Sequence, residues 1–357
     1  MVKKLLFIRF WGKSGISGGG EQLTNTNLEY IFDILGKDNV DVFAVNSNIN
    51  LSFFKKLIYF FNFFKNYHRG LTSKKINHIL SIASQYDFIF IDRSVFGIIA
   101  QKLKKANYNG KIITFFHNFE QNYYLDHATL ISKSVKYNEN CACQYSDMII
   151  ALNERDQKLI EHHYNRKADF LIPISFKDRY TPSPEVMNKP VENPLNCLFV
   201  GSYFDANTEG ILWFIQEVFP QVNIRLQIVG KGMAQLKTKF PHNSRIEILD
   251  SVPDLTPFYE NADYMIMPIF KGSGMKVKTC EALMYGKNII GSTEAFEGYN
   301  VDYEKIGAFA NTKEEFIEAI HTFENQSKLR FNKYARICFL NSYSSGIISS
   351  HFKQILI

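Results

Sequence analysis

Short apolar, β-branched or aromatic runs alternate with helically spaced apolar positions from one end of the chain to the other. That alternation predicts βα units and parallel sheets. In the first half, the runs at 4–10, 40–45, 88–91, 111–116, 148–152 and 169–172 read as strands. Between the first two, Leu28, Ile31, Phe32 and Leu35 share one helical face, and Gly36 is placed to stop that helix. Residues 173–194 break the pattern: five prolines (Pro173, Pro182, Pro184, Pro190, Pro194) and no clear periodicity predict an interdomain linker. A second strand series follows at 197–200, 225–229, 245–249, 264–267, 288–290 and 307–309. The expected fold class is therefore α/β, with two consecutive doubly wound parallel-sheet domains at 1–172 and 195–335. Residues 336–357 read as a C-terminal helix, with a return to the first domain as one course open to it. Two such domains leave a crevice faced by strand ends and their glycine turns, and ligands belong there. No short-period repeat is visible, which excludes solenoids and propellers.

Length agrees with two domains, since 357 residues exceed what one core usually holds. At 46% hydrophobic and 21% charged residues, with 20 Gly and 10 Pro, the chain is neither disordered nor collagenous. Cys141, Cys143, Cys197, Cys280 and Cys338 form no C-x-x-C and no ligand-like spacing with the histidines, so neither a disulfide framework nor a metal site is expected. A reducing cytoplasm fits that usage. The start, MVKKLLFIRFWGKSG, places basic residues before an apolar run, but the run is short and contains Arg9, so it reads as the first strand and not as a signal peptide. No stretch reaches the roughly 18 to 20 apolar residues of a transmembrane helix.

The net charge of +6 is unevenly placed. Between Asp41 and Asp87 there is no acidic residue, while Lys55, Lys56, Lys65, Arg69, Lys74 and Lys75 flank the apolar run LIYFFNFF at 57–64. One reading of 53–75 is peripheral membrane contact, with lysines on anionic headgroups and aromatic rings at the membrane edge. The other is an internally packed segment with solvated basic flanks, since the run is apolar nearly all round. No nucleic-acid-binding module is legible.

Three segments are candidates for chemistry. The first is Gly15 to Glu21 (GISGGGE), after strand one and opening a helix. Gly18, Gly19 and Gly20 allow close backbone approach, and a helix N-terminus favours phosphate or carboxylate. A flexible turn is the plain alternative. The second is His117-Asn118 at the end of the strand IITFF, where an imidazole faces the crevice and is able to donate to a sugar hydroxyl or share a proton; a structural histidine is the alternative. The third is Pro268 to Leu283 (PIFKGSGMKVKTCEAL): a strand, a turn at Gly272-Ser273-Gly274, then a helix carrying Lys276, Lys278 and Glu281. Backbone donors, a helix N-terminus and two ammonium groups together suit a diphosphate. Against this stands an exposed Lys278–Glu281 pair three residues apart, worth about 0.2–1 kcal/mol. Gly201-Ser202-Tyr203 and Gly230-Lys231-Gly232 end strands of the same domain and either line the same crevice or are plain turns.

The segments CLFVGSYFDANTEGILWFIQEVFP (197–220), IVGKG (228–232), VPDLTPFYENADYMIMP (252–268), GSGMKVKTCEA (272–282) and Glu297-Gly298 resemble, in order and spacing, the donor-binding half of family 4 type glycosyltransferases of the GT-B fold. The GGGE loop and HNFEQNYY resemble that family's first half more loosely. The resemblance implies two Rossmann-like domains, a nucleotide sugar against the second, an acceptor against the first, and metal-independent transfer with retention of anomeric configuration. It implies that Glu281 holds the nucleotide ribose and that Lys278 reaches the diphosphate. The amides of Gly274 and Met275 would cradle its oxygens, and His117 would lie beside the transferred sugar. Gly18 to Gly20 would run under the diphosphate, and Ser251 and Val252 would edge the base, with UDP favoured over GDP.

Two departures stand out. Where many members have a glutamate eight positions before the Glu281 equivalent, this chain has Ser273. Where many have an arginine after the first donor-domain strand and a nearby lysine, it has Ser202, Asn207 and Glu209. Diphosphate charge is thus expected to rest on Lys276, Lys278, Lys231 and backbone dipoles. The expected function is sugar transfer to a saccharide or lipid-linked saccharide in surface polysaccharide or glycolipid assembly, in the cytoplasm or on the inner membrane face. The rival readings are a nucleotide-sugar-binding partner subunit without activity and a nucleotide-sugar 2-epimerase, which would be expected to show more acid and base side chains than His117.

Overall fold

The computed structural model describes residues 3–11, 19–46, 64–68, 70–125, 129–240, 243–325 and 329–357. The chain divides into two compact units, Met1–Pro173 with Ser349–Ile357, and Ile174–Ile348.

The first unit is built on β1 (Leu5–Trp11), β2 (Val40–Asn46), β3 (Phe88–Ile91), β4 (Lys111–Phe116), β5 (Met148–Ala151) and β6 (Phe170–Leu171). They form one sheet in the order β2-β1-β3-β4-β5-β6, every pairing parallel. All four residues of β3 are buried, as are the last five of β4, so these strands read as unbroken apolar runs because both faces are covered. The last residues of the chain group with this unit: Phe352 packs against Tyr30 and Phe90, and Lys3 Nζ donates to the carbonyls of Leu356 and Ile357.

The second unit repeats the plan with β7 (Leu195–Val200), β8 (Ile224–Val229), β9 (Ile246–Leu249), β10 (Tyr264–Met267), β11 (Asn288–Gly291) and β12 (Gly307–Phe309). Its order is β12-β11-β10-β7-β8-β9, again parallel. The chain winds outward from β7 to β9, then returns to the other side of β7 with β10. The turns leaving β7 and β10 therefore diverge, and this switch point is where an open α/β sheet leaves room for a ligand. In the first unit the equivalent point lies between β1 and β3. The proline-rich stretch lies against the second unit: Phe176 bridges to Ser344, Pro190 to Leu329, and Asp178 pairs with Arg336 Nη2 at 2.6 Å. Within it, Ser183 caps a short helix, Pro184–Asn188, that starts with proline.

At the opposite end of the second sheet, Lys287 is buried at 1% exposure and donates to the Ala262 carbonyl at 2.6 Å, beside the Asp263–Arg330 pair (2.7 Å). Burial draws its ammonium down to about 7 against an ordinary 10.5. Between those values the unfolded chain binds the proton that the folded chain has released, so this group makes stability rise with pH across the window. The slope is at most about 1.4 kcal/mol per pH unit. Lys287→Met is expected to flatten the rise relative to the wild type in urea denaturation at pH 7, 8 and 9.

Candidate functional site

In the second unit, β10 ends at Met267 and the chain turns through Pro268 to Lys276 before the helix Val277–Met284 begins. The turn depends on glycine, with φ of 139° at Gly272 and 65° at Gly274, which L side chains rarely adopt. Lys276 Nζ donates to the Gly274 carbonyl at 2.8 Å and pairs with Glu294 at 2.6 Å, while Met275 is buried beneath. Ser273 is half-buried between the two glycines. Lys276, at the N-cap, makes no side-chain cap, and the Thr279 amide donates to the Lys276 carbonyl at 3.0 Å.

Lys278 is the second residue of that helix. Its Nζ donates to Asn207 Oδ1 at 2.5 Å and lies 4.9 Å from the centre of the Phe199 ring. Burial, with the nearby Lys276 ammonium, draws it down to about 7. Glu281, one turn further on, accepts from the Tyr259 hydroxyl at 2.9 Å, and burial pushes its carboxyl up. Tyr259 is fully buried and stacks on Tyr285 (4.2 Å, 7°), whose hydroxyl meets Thr256 at 2.9 Å. The lysine and the glutamate thus find different partners and do not form the exposed pair that their spacing allows.

The other strand ends close around this helix. A Cβ on Gly230 would sit 1.9 Å from the Gly201 carbonyl oxygen, so glycine lets the turns after β7 and β8 interlock. Tyr203 N donates to the Lys231 carbonyl at 2.7 Å, and the amides of Gly232 and Ser251 both donate to Asp250 Oδ1 at 2.6 and 2.8 Å. Ser202 and Ser251 are exposed, and Val252 and Lys231 are half-buried.

In the first unit, Gly18 lies outside the described residues, and Gly19 and Gly20 open the helix Gly19–Leu35. A Cβ on Gly20 would come within 2.6 Å of Arg93 Nη2. Asp92, fully buried just after β3, accepts from Thr24 Oγ1 and from Asn27 Nδ2 (3.2 Å) of that helix. His117 follows β4 with Nε2 3.2 Å from Asp92 Oδ1. Its Nδ1 is buried with no hydrogen-bond partner among the described residues. Burial pulls the imidazole below its usual range against the opposing pull of Asp92, so it is neutral at pH 7. The loop after it is fixed from below by Glu139, which accepts from Ser94 Oγ (3.2 Å), the amides of Glu120 (2.9 Å) and Gln121 (3.3 Å), and Tyr164 Oη (2.9 Å). Burial, then the nearby Glu120, pushes the Glu139 carboxyl up to about 8. Arg93 pairs with Glu120 at 3.6 Å.

Sequence reasoning passed over Asp92, Arg93, Glu139, Tyr259 and the contact made by Asn207. Asp92-Arg93 had a signal, because it follows the apolar run 88–91 as His117-Asn118 follows 111–116. Glu139 and Tyr259 had none, sitting inside helical patterns. Of the basic apolar segment, 51–63 and Arg69 lie outside the described residues. Among the described residues, no helix is long and apolar enough to cross a membrane, and no group of three or more His, Cys, Asp or Glu is placed to hold a metal.

Residues 194–325 match the family Glycosyl transferases group 1. That match lies within the second unit. The turn at Gly272 to Lys276, Lys278, Glu281 and their neighbours all lie inside that match. An uncharacterized 44.6 kDa protein in the cps region of Klebsiella pneumoniae is 24% identical over 177 residues, 44% of this chain and 45% of that relative. The match thus spans less than half of the curated relative. Among solved structures, Anabaena Alr3699/HepE in complex with UDP is similar over 99% of both chains (TM-score 0.73, 14% identity). The sucrose-phosphate synthase tll1590 from Thermosynechococcus elongatus is similar over 99% of this chain and 98% of its own, at the same TM-score and identity. These likenesses are of fold, and they establish the two-sheet GT-B architecture that the sequence led us to expect. Further structures of the Anabaena protein hold UDP-glucose, or UDP and glucose.

Proposed function

We propose that this protein transfers a sugar from a nucleoside-diphosphate sugar, UDP-linked in preference to GDP-linked, to a saccharide or lipid-linked saccharide, with retention and without a bound metal. The observation that carries this reading is the Lys278 ammonium at the β7–β10 switch point, beside a glycine turn and a helix start without a side-chain cap, inside the group 1 match. Such an arrangement is matched to a dianionic diphosphate. UDP and UDP-glucose in the Anabaena complexes favour uridine, and the cps-region relative favours a role in polysaccharide assembly.

The chemistry breaks the anomeric C–O bond while negative charge grows on the departing diphosphate. Lys278 and the amides of Gly274 and Met275 meet that charge, and fixed donors in a water-poor site are where most of the acceleration arises. Lys276 is already bound to Glu294, so it acts on the turn more than on the ligand. Glu281, held by Tyr259, accepts from the ribose hydroxyls, and the Ser251–Val252 segment edges the base. Gly19 and Gly20 keep the start of their helix open to a backbone approach. His117, neutral and oriented by Asp92, exchanges a hydrogen bond with a hydroxyl of the transferred sugar.

Release of nucleoside diphosphate from a panel of UDP- and GDP-sugars tests this, with thermal shift in parallel. One UDP-sugar is expected to raise the melting temperature and to yield free UDP slowly even without acceptor. Retention of donor without release would instead indicate a binding subunit, and a changed sugar still attached would indicate an epimerase.

A further inference from the structure

We infer that Asn207 is a positioning residue for donor capture: its side-chain amide holds the Lys278 ammonium at the end of β7, where the diphosphate arrives. The inference rests on the donor-site reading above. Asn207 lies in the first turn of the helix Asp205–Trp213. Its Oδ1 accepts from Lys278 Nζ at 2.5 Å, and its Nδ2 donates to the Ser202 carbonyl at 2.9 Å. One amide thereby ties the turn leaving β7 to the helix that follows β10, across the switch point of the sheet. Gly201 makes room for this link, because a Cβ there would stand 3.0 Å from Asn207 Nδ2 and 3.2 Å from Lys278 Nζ.

The chemical type of the holder matters. A carboxylate in this place would neutralise the ammonium and compete with the ligand. An amide oxygen offers a dipole without a net charge, so the full positive charge stays available to an anion. Three of the charged groups around the lysine are engaged elsewhere. Lys276, on the preceding turn, is held by Glu294; Glu281, further along the helix, by Tyr259; Glu209, on the helix of Asn207, by Lys271. Asp205, at the start of that helix, and Lys231, on the turn after β8, complete the charged set, and Lys278 has no carboxylate partner among the described residues. The ring of Phe199 supplies the remaining wall. A lysine held, among the described residues, by an amide and a ring face, in a site that disfavours its charge, gains its counter-charge when a diphosphate binds.

Asn207→Asp and Asn207→Ala separate positioning from folding. UDP and inorganic pyrophosphate are titrated calorimetrically into wild type and both variants between pH 6 and 9, and the titration of Lys278 is followed without ligand by NMR of 13C-methylated lysines, assigned with Lys278→Arg. In wild type, UDP affinity is expected to fall as pH rises through about 7. In Asn207→Asp the fold persists, the Lys278 titration moves to higher pH, and UDP binding at pH 7 weakens by roughly 10- to 100-fold, as when a hydrogen-bonded charge is redirected. In Asn207→Ala binding weakens while the melting temperature stays near wild type. Variants that bind UDP as wild type does, with the same pH break, overturn the inference and leave the donor reading standing. Wild-type protein that binds neither UDP nor pyrophosphate overturns both, and the ligand-free titration still shows whether Asn207 governs Lys278.

Discussion

Lys278→Ala is expected to lower the rate of nucleoside diphosphate release from the preferred UDP-sugar by about 10²- to 10³-fold, the cost typical of removing one preorganised donor from a site where charge develops. The loss should fall on both KM and kcat, because the ammonium meets the diphosphate in the bound donor and meets greater charge on it in the transition state. Lys276 is not placed to compensate, with its ammonium 2.6 Å from Glu294 Oε1. Lys278→Arg should recover little, since the pocket is fitted to a compact ammonium between Asn207, Phe199 and Gly201. The pH dependence has a definite sign. Free Lys278 titrates at about 7 and binding a diphosphate raises that value, so the complex holds a proton that the free protein loses as pH rises. The apparent affinity for donor is full below about 7 and falls above it, at most about tenfold per pH unit until the bound group also titrates. Initial rates at subsaturating donor from pH 6 to 9 show this as an alkaline limb that Lys278→Ala abolishes.

Glu281→Ala is expected to raise KM for the donor by about 10²-fold with a smaller effect on kcat. A carboxylate holding ribose hydroxyls makes hydrogen bonds worth roughly 1.5–3 kcal/mol to a charged acceptor, and they are equal in ground and transition states. Two variants that sit one helical turn apart should therefore differ, one losing chemistry as well as binding and the other losing mainly binding. If Glu281 holds the ribose as proposed, it also sets an acid limb. Burial holds its carboxyl above the usual range, the Tyr259 hydroxyl opposes that shift, and protonation on the acid side removes an acceptor from the ribose. Tyr259→Phe removes the opposing hydrogen bond and should move that limb to higher pH in kcat/KM profiles.

The strands were legible because a parallel sheet covered on both faces writes itself as continuous apolar runs. The runs at 88–91, 111–116 and 264–267 coincide with β3, β4 and β10. Ends were less legible: residues 169–172 narrow to the two of β6, and 4–10 shifts to Leu5–Trp11, because a ladder ends where its neighbour's hydrogen bonds end. The glycine turn, Lys278 and Glu281 could be read because they are consecutive along one strand-turn-helix unit. Their partners could not. Asn207 is 71 residues from Lys278, Asp92 is 68 from Thr24, and Glu294 is 18 from Lys276. Each pair meets only because parallel strands lie side by side and deliver their C-terminal turns to one edge. Periodicity carries no record of that pairing. The spacing of Lys278 and Glu281 pointed to one another, yet burial and better-placed neighbours gave each a different partner.

Photolabelling with 5-azido-UDP-glucose followed by peptide mapping tests the central claim most directly, because the azido base reports where the donor lies without requiring the acceptor. The account predicts saturable labelling, competed by UDP, confined to peptides of the second unit between 228 and 285. Saturable labelling confined to the first unit, or labelling that UDP fails to displace, would contradict it.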